Sequence, residues 1–415
     1  MGAMQKTLLL SRAILRISRP PPTRQFSRSS FRCRAFEEGD VVLLRDRKNA
    51  SHEGTLVKLQ SSTSTHTHRG IIPHSGIIGK KPRQLVQSSK GASYRIHEPT
   101  LAEYVRLTPR LVTPIYPSDT NLIVSLLDIH VDTPSSVSDI NPPLEILEAG
   151  TGHGALTLHL SRAIHAANPP TPESPPYTTS EEVEDPVYLG ESVADLQESS
   201  LESWKKARRA IVHTLDISSK HSKHAQKIVR GFRRGMYVDN VDFHVGDVSS
   251  WIADQKALRQ AEDSFLSHVF LDLPNADHHL ANIAPVLHVD GILAVFNPSI
   301  TQIVECVETI REYKMPYLLD QVIELGAGTI REWDVRAVRP RATLKKAEEQ
   351  EELESSSDEE SLDPVKGQEA RGDELAEDLA KQADKWAMVC RPRVGQQVVG
   401  GGFLGLWRRM GNQRP

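Results

Sequence analysis

Three cysteines in 415 residues, Cys33, Cys306 and Cys390, lie too far apart for a disulfide framework and offer no metal-ligand spacing. Aromatic residues make up 5% and apolar residues 38% of the chain, below the usual globular share, which implies that part of it does not pack. No run of about 18 apolar residues occurs, which argues against a membrane-spanning helix. Acidic residues are missing from Met1–Phe36, which holds seven Arg and one Lys. Basic residues are missing from Ala166–Ser203, which holds nine acids, and Glu348–Asp378 sets fourteen acids against two bases. Of 50 basic and 54 acidic residues in the chain, 40 and 31 lie outside these three segments. The part expected to fold is therefore basic, which suits a polyanionic partner such as nucleic acid, although excess charge also serves solubility alone.

The first 36 residues are rich in Arg and Ser, with Leu8, Leu9, Ile14, Leu15 and Ile17 able to form an apolar face. This is the composition of a mitochondrial transit peptide, with cleavage expected near Arg24–Ser27. It implies the mitochondrial matrix; the alternatives are the nucleus or cytoplasm, with a basic arm that touches RNA. Residues 37–100 read as a small β-rich domain: Gly39–Leu59 gives two strands around a polar turn, and Gly70–Lys80 and Ser93–Pro99 give further strand-like pieces. Thr100–Arg110 and Pro117–Ile129 read as helices, the second capped by Ser118 or Asp119 with Leu122, Ile123, Leu126 and Leu127 as its stripe.

From Leu144 strands and helices alternate. Strands are expected at Leu144–Ala149, Arg209–Ile217, Val241–Val248, His268–Pro274 and Gly291–Pro298, with helices between them. Asp277–Leu287 reads as a helix whose His278 and His279 point apart and lie at the surface. In the helix after Pro298, Ile300, Ile303, Val304, Val307 and Ile310 share a face, and Ser299 and Gln302 have capping-box spacing. Thr329–Val338 and Gly401–Arg409 read as a closing antiparallel pair. The order implies a doubly wound, mostly parallel sheet. The larger α/β domain is placed at 101–415, with disordered acidic insertions at 166–203 and 346–384.

The stretch "ILEAGTGHGALTLHL" joins the first of these strands to a helix through Gly150, Gly152 and Gly154. Such a turn lets the chain bend sharply at Gly150, lets backbone approach a ligand at Gly152, and lets the helix start near the sheet at Gly154. The G-x-G-x-G spacing is shorter than that of dinucleotide binders, and Glu148 just before it argues against a pyrophosphate. An acid there favours a ligand with a cationic or hydroxyl-rich end, and S-adenosylmethionine has both. Asp216 and Asp247 end the next two strands, where one carboxylate can accept ribose hydroxyls and the other the adenine amino group.

Together these features resemble the tRNA adenine-N1 methyltransferases that modify position 58 of the T-loop. The resemblance rests on "LEAGTGHGALTLHL", "TPIYPSDTNLI", "RGIIPHSGIIGK", "FLDLP" and "GGFLGLWRR", and spans roughly Gly39–Arg409. It implies a Rossmann-like class I methyltransferase domain with a seven-stranded sheet and S-adenosylmethionine as cofactor. It further implies that Glu148, Gly150, Thr151, Gly152, His153 and Gly154 line the methionine end, Asp216 the ribose, and Asp247 with Val248 the adenine. Asp272 would be the catalytic carboxylate, also touching the cofactor, and Tyr116 would lie against the target base. The implied partner is tRNA, in a tetramer that is homomeric or shared with a related noncatalytic subunit, with no membrane role.

Three departures stand out. Asp272-Leu273-Pro274 is followed by Asn275-Ala276-Asp277 rather than by the family's Pro-Trp, His153 replaces a small residue between the glycines, and Asp216 is shorter than the family's usual Glu. The chemistry fits Asp272: adenine N1 is a weak nucleophile that becomes cationic on methylation. A carboxylate bonded to the 6-amino group would offset the growing charge, an effect typically worth a few kcal/mol. The sulfonium already makes the methyl electrophilic, so no metal is expected. Basic candidates for the RNA backbone are Arg106, Arg110, Lys80, Lys81 and Arg83. Competing readings are a noncatalytic RNA-binding subunit, in which the glycine motif and Asp272 would have decayed, and a methyltransferase of mitochondrial rRNA or of protein. Asp272 as a plain capping acid and Tyr116 as an interdomain packing aromatic also stay open.

Overall fold

The computed structural model describes residues 34–48, 53–133, 142–171, 201–260, 262–326, 333–338, 387–392 and 401–411. Residues 1–33 of the expected transit segment 1–36, and nearly all of both acidic insertions, lie outside them; Phe36, the last residue of that segment, is buried in the N-terminal core.

The N-terminal domain is built from β1 (Val41–Asp46), β2 (Thr55–Lys58), β3 (Ser64–Thr67), β4 (Gly70–Pro73), β5 (Leu85–Gln87) and β6 (Ser93–His97). An antiparallel sheet runs β2-β1-β6-β5, and β3 pairs with β4 as a hairpin. Alternation along these short strands sends Val42, Leu44, Val57, Ile72, Val86, Tyr94 and Ile96 into one core. A salt-bridge cluster fixes this domain to the next: Arg234 reaches Asp40 at 2.6 Å and Glu37 at 2.8 Å. Arg45 pairs with Glu103, on α1 (Leu101–Leu107). Thr100 and Glu103 close a capping box at the start of α1, anchoring the helix where it leaves the small domain.

The larger domain orders its sheet β12-β15-β11-β10-β7-β8-β9. Its strands are β7 (Leu144–Ala149), β8 (Ala210–Asp216), β9 (Val241–Val245), β10 (Leu266–Leu271), β11 (Leu287–Asn297), β12 (Tyr317–Leu325) and β15 (Gly402–Arg409). Strands β7 to β11 pair in parallel, and β15 runs antiparallel to both β11 and β12. The expected doubly wound sheet of seven strands is therefore present. Along β7, Ile146 faces a core closed by α2 (Pro117–Leu126), α3 (Ala155–Ile164) and α4 (Ser219–Gly231). Leu147 and Ala149 face a second core under α5 (Val248–Arg259), α6 (Leu280–Ile283) and α7 (Ile300–Glu312). The chain winds outward from β7 in both directions, so the end of β7 is the topological switch point.

Several expectations are corrected. Gly402–Arg409 pairs with Tyr317–Leu325, not with Thr329–Val338; β13 (Trp333–Val338) pairs instead with β14 (Ala387–Pro392) as a separate hairpin. β12 escapes sequence reading because it is an edge strand with most side chains exposed, so no alternation marks it. The helix expected at Asp277–Leu287 is a 3-10 turn, Ala276–His279, followed by the short α6. α2 starts at Pro117 with Tyr116 at its N-cap, so Ser118 and Asp119 sit inside the first turn, and Leu122 faces outward. Ser299 caps α7 through the Thr301 amide and not through a Gln302 box; Ile300 and Val304 are exposed, and Cys306 joins Ile303 and Ile310 in the core. The first insertion also starts later than position 166. Asn168 Nδ2 donates to the Ala210 carbonyl at 2.8 Å, its Oδ1 accepts from the Arg209 and Ala210 amides, and residues 201–203 lie in a helix.

Candidate functional site

The turn between β7 and α3 is built by its glycines. Gly150, Gly152 and Gly154 have φ of 97°, 50° and 80°, a region that costs an ordinary side chain energy. At Gly150 there is no space either: an added Cβ would fall on the Asp272 carbonyl oxygen. At Gly154 it would crowd Ala225 of α4 at 3.1 Å, so this glycine admits a neighbouring helix rather than the sheet. At Gly152, which is half-exposed, an added Cβ would meet a Val112 methyl at 3.4 Å. The Gly150 amide donates to Leu215 O at 2.8 Å, and the Asp272 amide donates to Ala149 O at 2.8 Å. These bonds tie the turn to the ends of β8 and β10.

Four predicted acids lie at the carboxyl ends of the strands, with different duties. Asp216 accepts from the Gly152 amide at 3.0 Å and from the Ser218 amide at 2.8 Å, so it shapes the turn as well as facing it. Asp247 caps α5 by accepting from the Ser250 amide at 3.1 Å, and its half-exposed carboxylate has His279 Nε2 at 3.8 Å. Glu148 is buried under the turn, where the Thr157 and Thr214 hydroxyls donate to its Oε2 at 2.6 and 2.8 Å. Burial pushes the Glu148 carboxyl up to about 7, against the pull of those hydroxyls and with help from the charge on Asp272. Asp272, partly exposed just beyond β10, is pushed up to about 7 by burial and by the charge on Asp216. No lysine or arginine among the described residues pairs with Glu148 or Asp272. The floor is therefore electronegative and uncompensated, which fits a ligand with a cationic centre and disfavours a pyrophosphate. The residues present thus fit S-adenosylmethionine.

Three other predicted contacts turn away from the open face. Thr151 is buried with its hydroxyl 2.8 Å from that of Thr214, and Val248 is buried in the core. His153 is buried, with Nε2 3.0 Å from the Thr108 hydroxyl and Nδ1 3.3 Å from His224 Nε2. Burial, with His224 and Arg110 nearby, holds its pKa down to about 4, so it is neutral. In place of a small residue, His153 braces the turn against α4 and the end of α1. Sequence reading missed Thr157 and Thr214. The usable signal was register: Glu148 and Thr214 are parallel partners on neighbouring strands, so their side chains share a face.

Tyr116 caps α2 four residues after Val112, with the Arg110 guanidinium 5.5 Å from its ring centre. Arg110 is thus stacked on Tyr116, and Arg106 is paired with Glu53 at 3.5 Å. Lys81 and Arg83 are exposed between the His74–Gly76 turn and β5, with Lys80 partly so. His278 is exposed as expected, but His279 is held by Ser249 at 3.0 Å. Where the family has Pro-Trp, Asn275 takes a left-handed φ of 55° and Ala276 is buried. Among the described residues no cluster of His, Cys, Asp or Glu is placed to hold a metal ion, and no helix is long and apolar enough to cross a membrane.

A seven-stranded sheet with one reversed strand, and a glycine turn over unpaired carboxylates at its switch point, define an S-adenosylmethionine-dependent methyltransferase. The solved O-methyltransferase of Thermotoga maritima has this fold: it is 17% identical, covers 92% of this chain and 97% of its own, and gives a TM-score of 0.55. Residues 206–404 match the family model described as tRNA methyltransferase complex GCD14 subunit, and residues 35–85 match the TrmI-like N-terminal model. The tRNA (adenine(58)-N(1))-methyltransferases TrmI of two Thermus thermophilus strains are each 29% identical over 71% of this chain and 88% of their own length. Two models of tRNA methyltransferase families thus match the chain, one in each of its domains.

Proposed function

We propose that the chain transfers a methyl group to N1 of adenine 58 in the T-loop of a tRNA, with Asp272 as its catalytic carboxylate and Tyr116 beside the extruded base. The observation that carries this is Asp272 itself, held against the Gly150 turn at the switch point with no cationic partner among the described residues. S-adenosylmethionine supplies an electrophilic methyl on a sulfonium. The chain's own residues do the rest. The carboxylates of Glu148, Asp216 and Asp272 favour the cationic donor electrostatically, and the half-exposed backbone at Gly152 lies beside them. One Asp272 oxygen accepts from the base's 6-amino group, holds that proton, and offsets the charge that grows on the ring as N1 is methylated. Tyr116, steadied by Arg110, offers a flat surface for a base drawn out of its stack.

In the test, purified chain and labelled S-adenosylmethionine are incubated with tRNA transcripts carrying A58 or G58. Label is expected at A58 and absent from the G58 transcript. Equal labelling of both would overturn the assignment of position.

Two further readings belong to this proposal. The Arg- and Ser-rich Met1–Phe36 directs the chain to the mitochondrial matrix, tested by fusing it to a fluorescent reporter. The enzyme works as a tetramer, of this chain alone or with a related noncatalytic subunit. Exposed Leu318, Leu319 and Val322 on edge strand β12 support an assembly contact, and light scattering of the purified chain tests it.

A further inference from the structure

The N-terminal domain carries a cleft of about 790 Å³ that the catalytic reading does not use. Arg47, Lys48, Arg69 and Lys90 line it together with the turn Gly91–Ser93, and no acid is among the lining residues. The cleft is built rather than assembled from loose side chains. Asp46, buried behind it, accepts from the Lys48 amide at 2.8 Å and from the Arg69 guanidinium at 2.9 Å. The Arg47 amide donates to Ser93 O at 3.0 Å, which joins the end of β1 to the β5–β6 turn. The Ser88 hydroxyl donates to Arg69 O at 2.6 Å, so Arg69 is fixed from both ends. Gly91 has a φ of 77° and nothing within 4 Å of where a side chain would start, so a bulky ligand can reach the backbone there.

The position of the cleft gives it meaning. Two residues before Arg47, Arg45 grips Glu103 of α1, and Arg106 on the same helix is paired with Glu53. From α1 the chain runs past Val112, which lies against Gly152, to Tyr116. The cleft is thus braced to the element that leads into the site.

We propose that this cleft is a phosphodiester-binding site that grips the tRNA backbone outside the target loop. The inference rests on the tRNA methyltransferase reading. Four cations on a fixed frame match a run of phosphates, and one buried acid leaves them a net positive charge. Phosphate contacts of this kind set register without reading sequence.

The test uses the full chain with Arg47→Ala and Lys90→Ala combined, and separately Lys48→Glu. Arg69 is left in place because it is tied to Asp46. Both variants are expected to bind tRNA about tenfold more weakly, with the salt slope of log Kd reduced by about 1 for each cation removed. KM for tRNA rises, while S-adenosylmethionine affinity by calorimetry and the melting temperature stay at wild-type values. Wild-type affinity and salt slope in both variants would overturn the inference. A polyglutamate peptide binding as tightly as an RNA hairpin of equal charge would also overturn it, by reassigning the cleft to an acidic protein. A wild-type chain that methylates no tRNA would defeat the functional proposal instead, and that result is read before any variant is made.

Discussion

The two ends of the central sheet treat their carboxylates in opposite ways. Near the amino end, Glu145 on β7 takes two bonds from Arg259, at 2.9 and 2.6 Å, and one from His213 at 2.9 Å. Asp242 on β9 takes two from Arg208, at 3.0 and 2.8 Å. Burial alone would raise both, but these donors outweigh it and hold both carboxyls below their ordinary range. At the carboxyl end, Glu148 is buried with only hydroxyls as donors and Asp272 is partly exposed with no cationic partner among the described residues, and both rise to about 7. One fold thus carries neutralised acids that only hold strands together and unneutralised ones that await a cation. An uncompensated group away from water is the mark of a site, because it is costly until something binds.

The largest test of this contrast removes the acid with the fewest partners. Asp272→Ala is expected to keep cofactor binding and lower kcat by about 10²- to 10⁴-fold in methyl-transfer assays. Because Asp272 works ionised and its pKa is raised to about 7, wild-type kcat/KM climbs as pH rises through about 7 and then levels. Next, Gly150→Ala, which puts a methyl group on the Asp272 carbonyl at positive φ, costs about 4 kcal/mol from strain and overpacking together. Thermal melting reads that loss, and calorimetry the accompanying loss of cofactor binding. At the opposite end, Arg259→Ala strips a buried carboxylate of its main cation and costs about 3 kcal/mol of stability by denaturant titration. Cofactor affinity in that variant stays within about twofold, since unbroken backbone separates the two ends; a larger drop would erase the contrast. The smallest effect is on Glu148→Gln. A carboxyl raised in the fold favours folding at low pH, and this advantage fades as pH climbs from about 4 to about 7. The variant should therefore match wild type near pH 4 and exceed it by about 2 kcal/mol near pH 8, without cofactor.

The parts of this fold that follow local rules were legible in the sequence. Alternating strands and helices gave the doubly wound sheet, and three glycines after an apolar run gave the turn. What stayed hidden depends on what lies across a gap. Edge strand β12 has no alternation to betray it, so Gly402–Arg409 was matched to the wrong partner. Glu148 reads as a ligand contact from its place beside the glycines, yet its strand position turns it toward Thr157 and Thr214, on another helix and another strand. His153 reads as part of the loop's outer face, but its ring is buried against Thr108 and His224. The basic cleft was missed because Arg47, Lys48, Arg69 and Lys90 are scattered along the chain and meet only when β1, β4 and β6 are in register.

The short clasp below α3 has its own consequence. Trp204 Nε1 donates to Pro169 O at 3.0 Å, and Asn168 binds the first residue of β8 through both atoms of its amide. The chain that departs after residue 171 and returns at 201 is thereby pinned shut at its base, at the end of the sheet opposite the glycine turn. Lengthening a loop closed in this way costs only about 0.6 kcal/mol per doubling. Lineages can therefore expand or trim that acidic excursion, and acquire new binding sequences within it, while the reaction geometry at the far rim goes unperturbed.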